Sequence, residues 1–109
     1  MDQELKYGEK MISEAKLIAV PNPSEKRDYI ISFSIPEFTC LCPISNFPDF
    51  ATINIDYVPE LKIVELKSLK LYVNRFRNEE HFHEEAVNLI LDDFLVCCDP
   101  KWIKIEGDF

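Results

Sequence analysis

The hydrophobic pattern of this chain changes period twice, and that change constrains the fold more than any other feature. From Tyr29 to Ile35 the apolar residues alternate, with Tyr29, Ile31, Phe33 and Ile35 on one face, the period of a half-buried strand. Phe50 to Val58 alternates again, Ala51, Ile53, Ile55 and Tyr57 against Thr52, Asn54 and Asp56. From about Ser68 the period lengthens: Leu69, Tyr72, Val73 and Phe76 stand at i, i+3, i+4 and i+7, the stripe of an amphipathic helix. A second helix is predicted from about Phe82 to Cys98, with Val87, Ile90, Leu91, Phe94 and Leu95 inward, ending at Asp99-Pro100 because proline cannot continue the hydrogen bonding. Trp102 to Glu106 returns to alternation, with Ile103 and Ile105 on one face. The order strand, strand, helix, helix, strand predicts an α+β domain, an antiparallel sheet with two helices on one face.

The punctuation between these segments sets the boundaries. Residues 1–20 are charged and loosely patterned and read as an N-terminal arm; Pro21-Asn22-Pro23-Ser24 is a turn signal, so the domain is expected over 21–109. Pro36 is expected to end the first strand, Glu37 to Pro48 to form a loop, Pro59-Glu60 to turn the chain, and Lys62 to Glu65 to be extended. A chain of 109 residues fits one small domain, a size often stabilised by association. Its net charge of -8 repels nucleic-acid phosphates and points to a small-molecule partner. There is no apolar stretch of signal-peptide or membrane-span length, so neither is expected. The cysteines form a C-x-C pair, Cys40 and Cys42, and a C-C pair, Cys97 and Cys98. Neither is spaced like a zinc site, no metal is expected, and free thiols in a reducing cytoplasm are the simplest reading. Cys97 and Cys98 read as structural.

Three segments could carry chemistry. Cys42-Pro43-Ile44-Ser45-Asn46-Phe47-Pro48-Asp49 sets a sulfur nucleophile seven residues before a carboxyl group, across a connection stiffened by two prolines. A thiolate attacks electrophilic carbon and a nearby acid can move the proton, although a cysteine in a small domain is more often a buried filler. Glu65-Leu66-Lys67-Ser68-Leu69-Lys70-Leu71-Tyr72 puts two lysines on one helix face, where they could hold phosphates with help from the helix amides; a solvated charged face is the plainer alternative. Phe82-His83-Glu84-Glu85 opens the second helix. A glutamate there could accept from a guanine-like N–H edge, or simply favour the positive end of the helix dipole.

In combination these segments carry a resemblance. Phe38-Thr39-Cys40-Leu41-Cys42-Pro43 and Pro48-Asp49-Phe50-Ala51-Thr52-Ile53 resemble the cysteine segment of the 7-cyano-7-deazaguanine reductases, the QueF family; Glu65 to Tyr72 resembles its signature, and Phe76-Arg77-Asn78 and Phe82-His83-Glu84 follow in family order. The resemblance spans roughly Tyr29 to Phe109. It implies the tunnelling fold, an antiparallel sheet with two helices between its second and third strands, assembled into homo-oligomers with active sites at subunit boundaries. It also implies a reaction: NADPH-dependent reduction of the nitrile of 7-cyano-7-deazaguanine to 7-aminomethyl-7-deazaguanine, in tRNA queuosine synthesis. Cys42 would form a thioimide at the nitrile carbon, Asp49 would protonate the nitrogen, and His83 would lie by the reacting centre. Glu65, Leu66, Phe82 and Glu84 would hold the deazaguanine. Lys67, Ser68, Lys70 and Arg77 would face the cofactor.

The chain departs from the family pattern in three places. Asn46-Phe47 stands where a glycine is common, and asparagine tolerates left-handed backbone, so the turn should survive. Leu66 replaces a common serine. Related chains continue past a Gly-Asp-Phe-like segment into a further strand, so the last strand is expected to be missing and the sequence to be a fragment. Two other readings compete: a relative that forms an amidine by ammonia transfer, against which the lysine-bearing signature argues, and a non-catalytic deazapurine-binding or assembly subunit.

Overall fold

A computed structural model describes residues 7–109, with side chains placed from Lys10 onward. The elements run α1 (Tyr7–Ser13), β1 (Ala19–Pro21), β2 (Ile31–Leu41), β3 (Pro48–Val58), β4 (Lys62–Val64), α2 (Leu66–Arg75), a 3-10 turn (Phe76–Asn78), α3 (His83–Cys98) and β5 (Trp102–Asp108). Three strands form an antiparallel sheet in the order β2-β3-β5, and β1 pairs with β4 in a separate two-stranded sheet. Both long helices fall between β3 and β5 in the chain, the order expected from the period changes.

The core lies between the sheet and the helices. Ala51, Ile53, Ile55 and Tyr57 of β3 are all buried, as alternation predicts, and meet Leu69, Tyr72, Val73 and Phe76 from α2 and the following turn. Aromatic rings fill the centre: Phe38 and Phe76 are 5.4 Å apart, Tyr57 and Phe94 5.6 Å, distances that favour tilted and edge-on pairs. The Tyr57 hydroxyl accepts from the Val64 N–H at 3.0 Å, joining the two sheets. Burial outweighs that bond and pushes the phenol up to about 12, so Tyr57 stays neutral.

Several elements differ from the sequence-based expectation. Pro36 does not end the first strand. β2 continues to Leu41, with a register shift between Ile35 and Phe38. Proline lacks an N–H, but β2 is an edge strand, and a bulge at an edge leaves no ladder bond to be missed. The bulge also resets the alternation, so that Ile35, Phe38 and Cys40 all face the core. In α3 the buried stripe is Ala86, Ile90, Phe94 and Cys98, a strict i+4 row; Leu95, expected inward, is 41% exposed. The face of α3 turned to the core is therefore the Ala86 row, and Leu95 lies off it.

The segment read as an arm is ordered structure from Tyr7. The Ile18 N–H donates to Ser68 Oγ at 3.0 Å, and Arg75 donates to the Ala15 carbonyl at 2.8 Å. Residues 1–6 of that arm lie outside the described residues.

Candidate active site

The turn between β2 and β3 holds Cys42 in a closed loop. Its N–H donates to the Phe47 carbonyl at 2.9 Å, and its carbonyl accepts from the Asn46 N–H at 2.8 Å. Asn46 has φ 59, the left-handed conformation that asparagine was expected to supply in place of glycine. Hydrogen bonds from the Ser45 side chain, then from the Ser45 and Ile44 backbone, lower the Cys42 thiol below its ordinary value, against slight desolvation and the charge of Asp49. A larger thiolate fraction at neutral pH follows. Replacing Ser45 with alanine removes the leading cause. The inflection in a pH titration of Cys42 alkylation by iodoacetamide should therefore move to higher pH; an unmoved inflection would leave Ser45 without this role.

Cys40, two residues earlier, has a different environment. It is fully buried, its thiol is pushed up chiefly by desolvation, and it donates to the His81 carbonyl at 3.7 Å. The C-x-C pair therefore divides into a packing residue and a reactive one. Cys97 and Cys98 are raised by burial as well, Cys98 to about 11, and all four thiols are free.

Asp49 lies opposite Cys40 in the β2–β3 register. Its Oδ2 is 3.2 Å from His83 Nε2, so strand pairing and the start of α3 bring an acid and an imidazole together at the Cys42 end of the sheet. His83 stacks on Phe109 at 3.9 Å with the rings 9° from parallel. Gly107 permits this return of the chain: a Cβ there would lie 2.7 Å from Val87 Cγ2 and 2.9 Å from the Phe109 ring. An open groove of about 440 Å³, lined by His83, Glu84, Val87, Asn88, Gly107 and Phe109, runs beside the pair. Phe82 precedes α3 and is 51% exposed.

The signature segment lies elsewhere. Val64 touches Tyr57, eight residues along β3 from Asp49, roughly 26 Å at about 3.3 Å per residue. Glu65 caps α2, its carboxylate accepting from the Lys67 and Ser68 N–H groups. The amides expected to meet phosphate are thus occupied within this chain. Ser68 is buried, its hydroxyl donating to the Glu65 carbonyl at 2.7 Å and accepting from Ile18. Leu66, Lys67 and Lys70 are exposed. Arg77 lines a second cleft of about 440 Å³ with Glu37, Thr39, Phe50 and Asn74. The chain therefore gathers Cys42, Asp49, His83 and Glu84 at one end and carries Glu65, Leu66, Lys67 and Lys70 at the other. Sequence reasoning missed Ser45, Phe109 and His81. An acid-flanked histidine, Glu79-Glu80-His81 with Glu85 four residues on, was a readable signal for the last; nothing in the pattern marked Phe109.

A thiol primed in a rigid turn beside an acid–imidazole pair, on a sheet backed by two helices, is the equipment of a cysteine-dependent enzyme of the α+β class. The family model described as QueF-like protein matches residues 48–109. The NADPH-dependent 7-cyano-7-deazaguanine reductase of Trichodesmium erythraeum (strain IMS101) is 58% identical over 107 residues, 98% of this chain and 76% of its own. The reductases of the same name from Thermosynechococcus vestitus (strain NIES-2133 / IAM M-273 / BP-1) and Acaryochloris marina (strain MBIC 11017) are 54% and 55% identical, each over 97% of this chain and over 80% and 74% of their own. This chain belongs to the QueF family. The likeness reaches past Tyr29 toward the N-terminus and takes in nearly all of residues 1–20.

Proposed function

We propose that this protein reduces the nitrile of 7-cyano-7-deazaguanine to the aminomethyl group with NADPH, through a thioimide on Cys42. The observation that carries the reading is the lowered Cys42 thiol at the same end of the sheet as the Asp49–His83 pair. The Cys42 thiolate adds to the nitrile carbon and a C–S bond forms. The displaced π pair goes to nitrogen, which takes a proton from Asp49, with His83 placed to resupply it. Glu84, in the groove beside His83, accepts from the N–H edge of the ring, and Phe82 offers an apolar face to it.

Lys67, Lys70 and Arg77 fit the cofactor's phosphates. Among the described residues none of the three is in an ion pair, whereas Arg75, Lys101 and Lys104 are. NADPH, when bound, supplies hydride, and a nitrile needs two hydrides to reach the amine. Because Lys67 and Lys70 lie far from Cys42 in one chain, the complete site is composed at a subunit boundary of a homo-oligomer, where Glu65 and Leu66 of one copy approach the ring held by another. Ser68 supports that surface through its bond to Ile18. The negative net charge is consistent with a reaction completed before any tRNA step, in a reducing cytoplasm.

The test is the intact mass after mixing with 7-cyano-7-deazaguanine alone. A gain equal to the substrate, followed on adding NADPH by two cofactors oxidised per amine formed, is expected; no gain by a folded oligomer would refute the reading. In an adduct-deficient background, Glu84→Gln should weaken substrate binding by roughly 2–5 kcal/mol, because a covered donor edge loses its charged partner. Calorimetry showing equal affinity would remove Glu84 from the site.

A further inference from the structure

We propose that His81 is a positioning residue: its imidazole, gripped between Glu79 and Glu85, sets the first turn of α3, and with it His83 and Glu84, against the Cys42 turn. This rests on the nitrile-reductase reading and adds to it a group that touches neither substrate nor cofactor. His81 Nε2 is 2.8 Å from Glu79 Oε1, and Nδ1 is 2.8 Å from Glu85 Oε1. The side chain is 15% exposed and its ring tilts against Phe76 at 5.5 Å. The other oxygen of Glu79 is held by Arg75 Nε at 3.0 Å, and Arg75 is itself fixed over the Tyr72 ring and on the Ala15 carbonyl.

The backbone of the same segment grips the nucleophile's strand. The Leu41 N–H donates to the Glu79 carbonyl at 2.9 Å, and the His81 N–H donates to the Leu41 carbonyl at 3.0 Å. The Cys40 thiol donates to the His81 carbonyl. Residues 79–81 thus hold the residue next to Cys42 by its main chain, while the His81 ring holds Glu85 in the first turn of α3. His83 and Glu84 lie between those two anchors.

The clamp depends on charge. With a carboxylate oxygen at each ring nitrogen, both nitrogens must be donors, which is the imidazolium; a neutral ring would turn a lone pair toward one carboxylate. The groups facing the ring or its anchors are Glu79 and Glu85, Arg75 from α2, and Cys40 from β2. Desolvation is the largest single influence and acts downward, but the hydrogen bonds and charges of Glu79 and Glu85 together raise the imidazole above its ordinary value. A group raised on folding stabilises fully below its unfolded value, about 6.5, and that stabilisation is lost as pH rises through the folded value.

The measurement is the rate of thioimide formation without NADPH, by quench and intact mass, for the parent, His81→Gln and Glu85→Gln at several pH values. Dividing variant by parent at each pH cancels the ionisation of Cys42. The His81→Gln ratio should be lowered roughly tenfold to a hundredfold at pH 6, the scale of a misplacement of about 1 Å, and rise toward one at high pH, where the parent has also lost the clamp. Glu85→Gln, which removes a half-exposed carboxylate and leaves the rest intact, should show the same trend with smaller amplitude, and it alone decides if His81→Gln does not fold. A ratio flat across pH would mean a merely structural role and would overturn the proposal. A parent that forms no adduct would overturn the reductase reading beneath it.

Discussion

A Cys42→Ala protein should gain no mass from 7-cyano-7-deazaguanine, and its turnover should fall by at least about 10⁴-fold, the scale seen when a covalent nucleophile is deleted. The expectation rests on how little else at the site could substitute. Cys40 is two residues away but fully buried, with its thiol raised and its sulfur turned to the His81 carbonyl. Asp49 and His83 can move protons, yet neither can form the thioimide. The fold should survive, because Cys42 contributes a partly exposed side chain and its structural bonds are made by the main chain. The variant should therefore still bind the ring through Glu84. Intact mass and steady-state NADPH oxidation check this together. An adduct that persisted in the variant would move the nucleophile elsewhere, and an adduct lost with turnover kept would remove the covalent route.

A Phe94→Ala substitution should cost about 3–5 kcal/mol in urea or thermal unfolding, the range for deleting a large aromatic from a packed core. Phe94 is fully buried and meets Tyr57 edge-on. Tyr57 in turn carries the hydrogen bond that joins the small sheet to the large one, so the cavity would open where α3, β3 and β4 converge. Against a total stability of roughly 5–15 kcal/mol for an ordinary domain, such a loss is severe. A change below about 1 kcal/mol would show that the neighbouring rings collapse into the space. Cys42, Asp49 and His83, the residues proposed for the chemistry, lie at the other end of β3, so any folded fraction of this variant should keep the alkylation behaviour of the Cys42 thiol.

Much of the fold was legible because period and composition are local properties. The inward face of β3 and the stripe of α2 followed from spacing alone. Asn46 could be matched to a left-handed turn from its residue type. What misled was also local. Pro36 looked like a strand end, but whether proline interrupts a ladder depends on whether a neighbour needs its N–H, and that is a property of the sheet edge. Leu95 looked inward because periodicity fixes which residues share a face and leaves open which way the face is turned; the buried row is Ala86, Ile90, Phe94 and Cys98. The anchoring of Ala15 and Ile18 is not readable from local pattern, because their partners, Arg75 and Ser68, stand 60 and 50 residues away in the chain.

The same division runs through the site. Sequence by itself determined which residues could do chemistry and the order in which they come, since nucleophile, acid, imidazole and cations are covalent facts carried by motifs. Tertiary structure decided which of them meet. It placed Asp49 on His83 across strand and helix and separated Cys42 from Cys40 by burial. It spent Glu65 on the N–H groups of its own helix, and set Lys67 and Lys70 far from the thiol. The physical reason is that hydrogen-bond partnership, desolvation and distance are set by neighbours in space, and strand pairing brings those neighbours from anywhere in the chain.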